Sequence, residues 1–154
     1  EIGRMIMGGD LPGSDAAEAL EWYDMGLSRG DAWGGSNGAW VALNRLPDRI
    51  PAHAAAARAG KAMALNDPDA RAAARELLTG MAETDVAAGT QYILRQLGAG
   101  IAIDGQFGPS SRKQLGNWAR QAGLPATVPG DAISQLRLAA QIHFALNPIR
   151  QDLF

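Results

Sequence analysis

The sequence predicts an all-α fold. The hydrophobic fraction, 47% of the chain, rests on Ala and Leu rather than on Val, Ile and Phe, which favours helix over strand. Apolar residues recur at spacings of three and four along most of the chain, and alternation with a period of two is almost absent. Asp, Ser, Gly and Pro interrupt this pattern at intervals that suit helices of about 12–17 residues joined by short links.

Ser14 or Asp15 is placed to cap a helix over 15–29, with Ala16, Ala19, Leu20, Tyr23 and Leu27 on one face and Gly30 as its stop. A second helix over 31–45 puts Trp33, Asn37, Trp40 and Asn44 on one side, with Val41 and Leu43 beside them. Leu46-Pro47 ends it, because the residue before a proline leaves the α region. Pro51 suits the first turn of a third helix reaching about Asn66, whose face is mostly Ala, so that helix axes can approach closely. Asp67-Pro68 repeats the cap-then-proline start, and Ala70, Ala74, Leu77, Leu78 and Met81 form one stripe. Thr84 or Asp85 is placed to cap a fifth helix carrying Val86, Thr90, Ile93, Leu94 and Leu97, which Gly98 and Gly100 break. Ile101 to Ile103 reads as a short extended piece, Asp104-Gly105 as a turn and Gly108-Pro109 as a new helix start. Leu115, Trp118, Ala119 and Ala122 share a face of that helix, and Gly123 stops it. A last helix spans about Asp131 to Leu146, Asn147-Pro148 ends it, and the apolar ends of the tail 149–154 are expected to dock.

Composition narrows the function. Lys+Arg number 14 and Asp+Glu 16, a formal charge of −2, without the basic surplus of a dedicated nucleic-acid binder. The chain has no Cys, hence no disulfide, thiolate metal site or cysteine nucleophile, and two His are too few for a histidine-rich metal site. No apolar run is long enough for a membrane span. Neither a cofactor nor a metal is expected. Glu1 falls within a structural unit and no signal peptide or initiator Met precedes it, so the chain reads as a piece of a larger protein.

Two stretches resemble known families. Ile2-Gly3, Gly8-Gly9-Asp10-Leu11-Pro12, Asp15, Ala19-Leu20-Glu21-Trp22-Tyr23, Gly26 and Gly30-Asp31-Ala32 resemble a Sel1-like repeat, a tetratricopeptide-related helical hairpin. The match is fullest in this first unit. Over 31–66 no Trp-Tyr recurs, and a half-unit at 67–82 rests on length. The resemblance implies a short α-solenoid over 1–83, with its first repeat truncated, in which each unit buries its face against the next. Gln91 to Leu97, Gly98, Ile103-Asp104-Gly105-Gln106-Phe107-Gly108-Pro109-Ser110-Ser111-Arg112, Trp118 and Gly123-Leu124 resemble a peptidoglycan-binding-like three-helix domain, with Ser111 where that family has Thr. It implies such a domain over 84–154 with a C-terminal extension through His143 and Phe144. The loop 98–102 is short and lacks the family's aromatic.

Read physically, Gly105 supplies a positive φ, the Asp104 carboxylate accepts backbone N–H bonds within the turn, Phe107 plugs the gap between helices, and Gly108 lets Pro109 enter as first helical residue. These residues, with Trp22 and Tyr23, are expected to be structural. Ser110, Ser111 and Arg112, in a helix first turn, are the candidate ligand-binding residues for a peptidoglycan fragment. Trp33, Asn37 and Trp40 are the candidate partner-binding stripe, since aromatic side chains dominate protein interfaces. His53 and His143 read as partly packed, Arg58, Arg71 and Arg75 as a solvated face, and Glu18/Glu21 and Asp67/Asp69 as helix-start acids. Gly60-Lys61 lacks the upstream glycine of a phosphate loop, the glycine-rich run 34–38 follows no strand, and no Ser–His–Asp set has local support.

The expectation is a non-catalytic scaffold or targeting region of a larger bacterial protein. It binds a protein partner through the repeats, with peptidoglycan as the second ligand the resemblance implies. The alternative is the accessory C-terminal region of an enzyme, a cell-wall hydrolase or caspase-like protease, whose catalytic domain lies upstream. The resemblance favours the periplasm or cell envelope over the cytoplasm.

Overall fold

The structure is a computed structural model, and it describes residues 15–149. The glycine-rich segment before Asp15 and the tail after Ile149, both used in the sequence reading, lie outside the described residues. Among the described residues the regular structure is entirely α-helical. The helices are α1 (Ala16–Ser28), α2 (Ala32–Arg45), α3 (Ala52–Ala64), α4 (Pro68–Thr79), α5 (Glu83–Leu97), α6 (Pro109–Gln121) and α7 (Ala132–Leu146).

The helix starts follow their capping chemistry. Asp15, Asp31, Asp67 and Asp131 each accept a backbone N–H from the first turn of α1, α2, α4 and α7. Proline follows the cap in α4 and α6, where its missing N–H costs nothing. The start of α5 differs from the expected one. Its cap is Ala82, with no side-chain bond, and Thr84 and Asp85 sit inside the first turn. There Glu83 and Asp85 still favour the positive end of the helix dipole.

Helix α3 is the hub: it packs against α2, α4, α5 and α7. Ala55, Ala56, Ala59, Ala62 and Met63 are wholly buried along it. Gly60 marks its tightest approach, since a Cβ there would lie 2.5 Å from Leu136 Cγ of α7. The glycine-rich run 34–38 has the same origin. Gly34 faces the backbone of α1 at Tyr23 and Leu27, while a Cβ on Gly35 would sit 2.7 Å from the Arg58 carbonyl oxygen of α3. Helix α2 is thus wedged between two backbones at positions where no side chain fits, a packing role rather than a loop role.

The main apolar cluster includes Ala39, Met63, Leu78, Val86, Ile93, Leu94, Leu115, Leu136 and Ile142, so packing runs continuously across residue 83. A smaller cluster joins Ala19, Leu20 and Tyr23 of α1 to Val41 of α2. Arg58 departs from the expected solvated face. Its guanidinium donates to both carboxylate oxygens of Asp24, at 2.8 and 3.0 Å, and to the Ala54 carbonyl at 3.0 Å, tying α3 to α1. Ile149 folds back against Gly30 at the α1–α2 link.

Candidate functional site

Two places on the molecule gather the residues singled out in the sequence. The first is a groove on the outer side of α2. Trp33, Asn37, Trp40 and Asn44 follow one another at helical spacing, and Trp33 and Trp40 stand 39% and 45% exposed. Asn37, Trp40, Leu43 and Asn44 form one wall; Ala73, Glu76 and Leu77 of α4 form the other, with Gly80, Met81 and Asp85 at the end. The space enclosed is about 630 Å³. Trp33 lies on the same side of α2 beyond this lining. Trp22 is also exposed, whereas its neighbour Tyr23 is buried against Leu20 and Val41. The difference follows from helix geometry: adjacent residues point about 100° apart, and only one of them can face α2.

Local bonds set the groove's chemistry. Ser36 donates its hydroxyl to the Ala70 carbonyl at 2.7 Å, a buried bond that fixes α2 against α4. Asn44 Nδ2 donates to the Trp40 carbonyl at 2.9 Å, and the Arg45 guanidinium lies 5.6 Å from the centre of the Trp40 ring, bracing the indole. The Asn37 amide makes no side-chain bond among the described residues. Among the described residues Glu76 and Asp85 have no ion-pair partner, and no Lys, Arg or His lines the groove. It is therefore an apolar trough with an aromatic edge, a free amide and two acids without an ion-pair partner among the described residues.

The second place is the turn at 104–111, and its organising residue is one that sequence reasoning passed over. Gln91 of α5 is buried, and its amide bonds on both sides. Its Oε1 accepts the backbone N–H groups of Asp104 (3.0 Å) and Gly105 (2.9 Å). Its Nε2 donates to Asp104 Oδ1 (3.0 Å), the Gln106 carbonyl (3.1 Å) and Ser111 Oγ (3.0 Å). The signal for it was an amide set beside the apolar stripe of α5. Asp104 Oδ1 also accepts the Gln106 N–H at 2.9 Å. That bond and the Gln91 amide hold the exposed carboxyl below the usual carboxylate range. Gly105 has φ +73°, and a Cβ there would come 2.8 Å from the Thr84 carbonyl oxygen. Phe107 is half-buried against the main cluster, and Gly108 precedes Pro109, which opens α6.

The three candidate ligand residues separate here. Ser111 is buried, its hydroxyl taken up by Gln91, while Ser110 and Arg112 are exposed at the start of α6, which no side chain caps. Among the described residues no three His, Asp or Glu side chains stand close enough to hold a metal ion, and no helix is long and apolar enough to cross a membrane. The chain matches no protein-family model, no curated protein and no solved structure.

Proposed function

We propose that this chain is a non-catalytic binding module of a larger bacterial protein, and that the groove between α2 and α4 takes a peptide segment of a protein partner. The observation that carries this reading is the pairing of an exposed, braced Trp40 with unpaired Glu76 and Asp85 around an apolar trough. Such a surface suits an apolar anchor flanked by Lys or Arg, with the Asn37 amide free to bond the peptide backbone. In this reading α1 to α4 are a short solenoid of Sel1-like hairpins, and α5 to α7 are a peptidoglycan-binding-like three-helix domain. The serial packing of α1 on α2, α2 on α3 and α3 on α4 supports the first, and the mutual packing of α5, α6 and α7 around the pinned 104–111 turn supports the second. Ser110 and Arg112 are then the residues placed to meet a peptidoglycan fragment.

Selection of a random peptide library on the whole chain tests the groove. The expected binders share an apolar residue next to Lys or Arg, and lose affinity about tenfold or more with Trp40→Ala or Glu76→Lys. Binders without that signature, or indifferent to both substitutions, would overturn the reading. Co-sedimentation with purified peptidoglycan sacculi tests the second surface separately. Pelleting that falls with Arg112→Glu supports it, and pelleting no greater than a control protein's refutes it.

A further inference from the structure

The turns and grooves above leave out a cavity on the opposite side of α3. Four helices enclose about 330 Å³ there. Leu27, Ala54, Ala57, Tyr92 and Phe144 supply an apolar lining, and Lys61, Gln96 and His143 add polar groups. One acid, Asp24, reaches it, and both its oxygens are already held by Arg58. Lys61, half-buried, has no acceptor among the described residues, and neither do the Tyr92 hydroxyl, the Gln96 amide nor the His143 ring. His143 packs edge-on against Phe144 at 5.0 Å, and the Tyr92 ring lies 5.2 Å from His53. The cavity therefore carries one ammonium without an ion-pair partner among the described residues and several uncommitted polar groups, over an apolar floor.

Charge selects the ligand. Asp24 and Arg58 cancel, Lys61 remains, and the net charge facing the cavity is that of one cation. A dianion would exceed it, and a neutral ligand would leave it unbalanced. We propose that the cavity binds a single carboxylate carried on a small apolar or aromatic body, with Lys61 as its counter-charge and Tyr92 and Phe144 against the body. Desolvation by burial, aided by the nearby Arg58 charge and partly opposed by Asp24, lowers the Lys61 pKa. Burial, aided by the Lys61 charge, lowers His143 to about 4. The titratable and charged groups facing the cavity are Asp24 from α1, Arg58 and Lys61 from α3, Tyr92 from α5 and His143 from α7, with His53 behind Tyr92. A bound carboxylate adds negative charge beside Lys61 and His143 and raises both pKa values.

The test titrates the whole chain with benzoate, and in parallel arms with benzamide, inorganic phosphate and a short peptide ending in a phenylalanine carboxylate. The readout is the His143 imidazole signals by NMR. Benzoate or the peptide is expected to shift these signals saturably and to move the His143 titration upward. Which of the two binds more tightly identifies the source of the carboxylate. Lys61→Met is expected to weaken binding about tenfold or more, and Lys61→Arg to retain it. Affinity in the unmodified chain should also fall as pH rises through the lowered Lys61 pKa, a readout that needs no variant. The proposal is overturned if neither carboxylate shifts the His143 signals saturably. It is equally overturned if benzamide or phosphate binds as tightly as benzoate, or if Lys61→Met binds as the unmodified chain does.

Discussion

Replacing Gln91 by Leu keeps the side-chain volume close to constant and removes every bond that the amide makes to the 104–111 turn. Two of the groups left behind are buried: the Gly105 N–H and the Ser111 hydroxyl. The Gly105 N–H loses its partner without gaining water, and the Ser111 hydroxyl keeps only a 3.5 Å contact to the Gln106 carbonyl, at about 1–3 kcal/mol apiece. The Asp104 N–H and Gln106 carbonyl belong to exposed residues and can turn to solvent, at about 0.5 kcal/mol each. The expected cost is about 4 kcal/mol, a large part of the stability of a chain this size. Thermal unfolding followed by circular dichroism at 222 nm should show Tm lowered by about 10 °C or more. Gln121→Leu, at an exposed position of α6, is the control and should leave Tm within about 2 °C of the unmodified chain. If Gln91→Leu melts with that control, the turn is held by something other than the amide, and the account of the 104–111 motif is wrong.

Gly105→Val forces a β-branched residue to φ +73° and against the Thr84 carbonyl oxygen, so a loss of more than about 1 kcal/mol is expected in urea unfolding, and an unchanged midpoint would refute it. Thr90 is fully buried and its hydroxyl has no partner among the described residues, so Thr90→Val should hold or raise the melting temperature by the equivalent of about 1 kcal/mol; a clear fall would mean that the hydroxyl is bonded. His143 has a folded pKa near 4 against 6.5 unfolded. The unfolded chain therefore takes the proton first, so stability is full above pH 6.5 and declines as pH falls toward 4. With the ring only half-buried, the loss is about 1 kcal/mol. His143→Gln should flatten that part of the pH profile, and an unaltered slope would show that His143 is not its source.

Much of the helix pattern was written locally. Asp15, Asp31, Asp67 and Asp131 cap where a short acceptor side chain precedes an apolar stripe, and Gly98 and Gly123 stop helices at positive φ. The misplaced start of α5 shows the limit of that logic. Thr84 and Asp85 are better caps than Ala82 in isolation, yet the chain enters the helix earlier, where Met81 and Val86 reach the core. What escaped the sequence is long-range. The helix over 31–45 was legible, but the reason for its glycines at 34, 35 and 38 stays hidden until α1 and α3 press on it from both sides. Arg58 reads as solvated until Asp24 arrives from a residue 34 positions away. The Trp33, Asn37 and Trp40 stripe was visible from its spacing, but the acidic wall opposite came from α4 and the start of α5, which no local pattern links to α2. Gln91 was within the quoted motif, and its role emerged only when the turn closed over it.

The most direct test of the binding account is a two-dimensional NMR titration of the whole chain with a peptide selected on it. The account predicts that the largest shifts fall on the side-chain amides of Asn37 and Asn44, the Trp40 indole and the backbone of Glu76, Leu77 and Met81, with Ser110 to Arg112 unmoved. Shifts centred on 104–112 while the indole and both amides stay in place would contradict it.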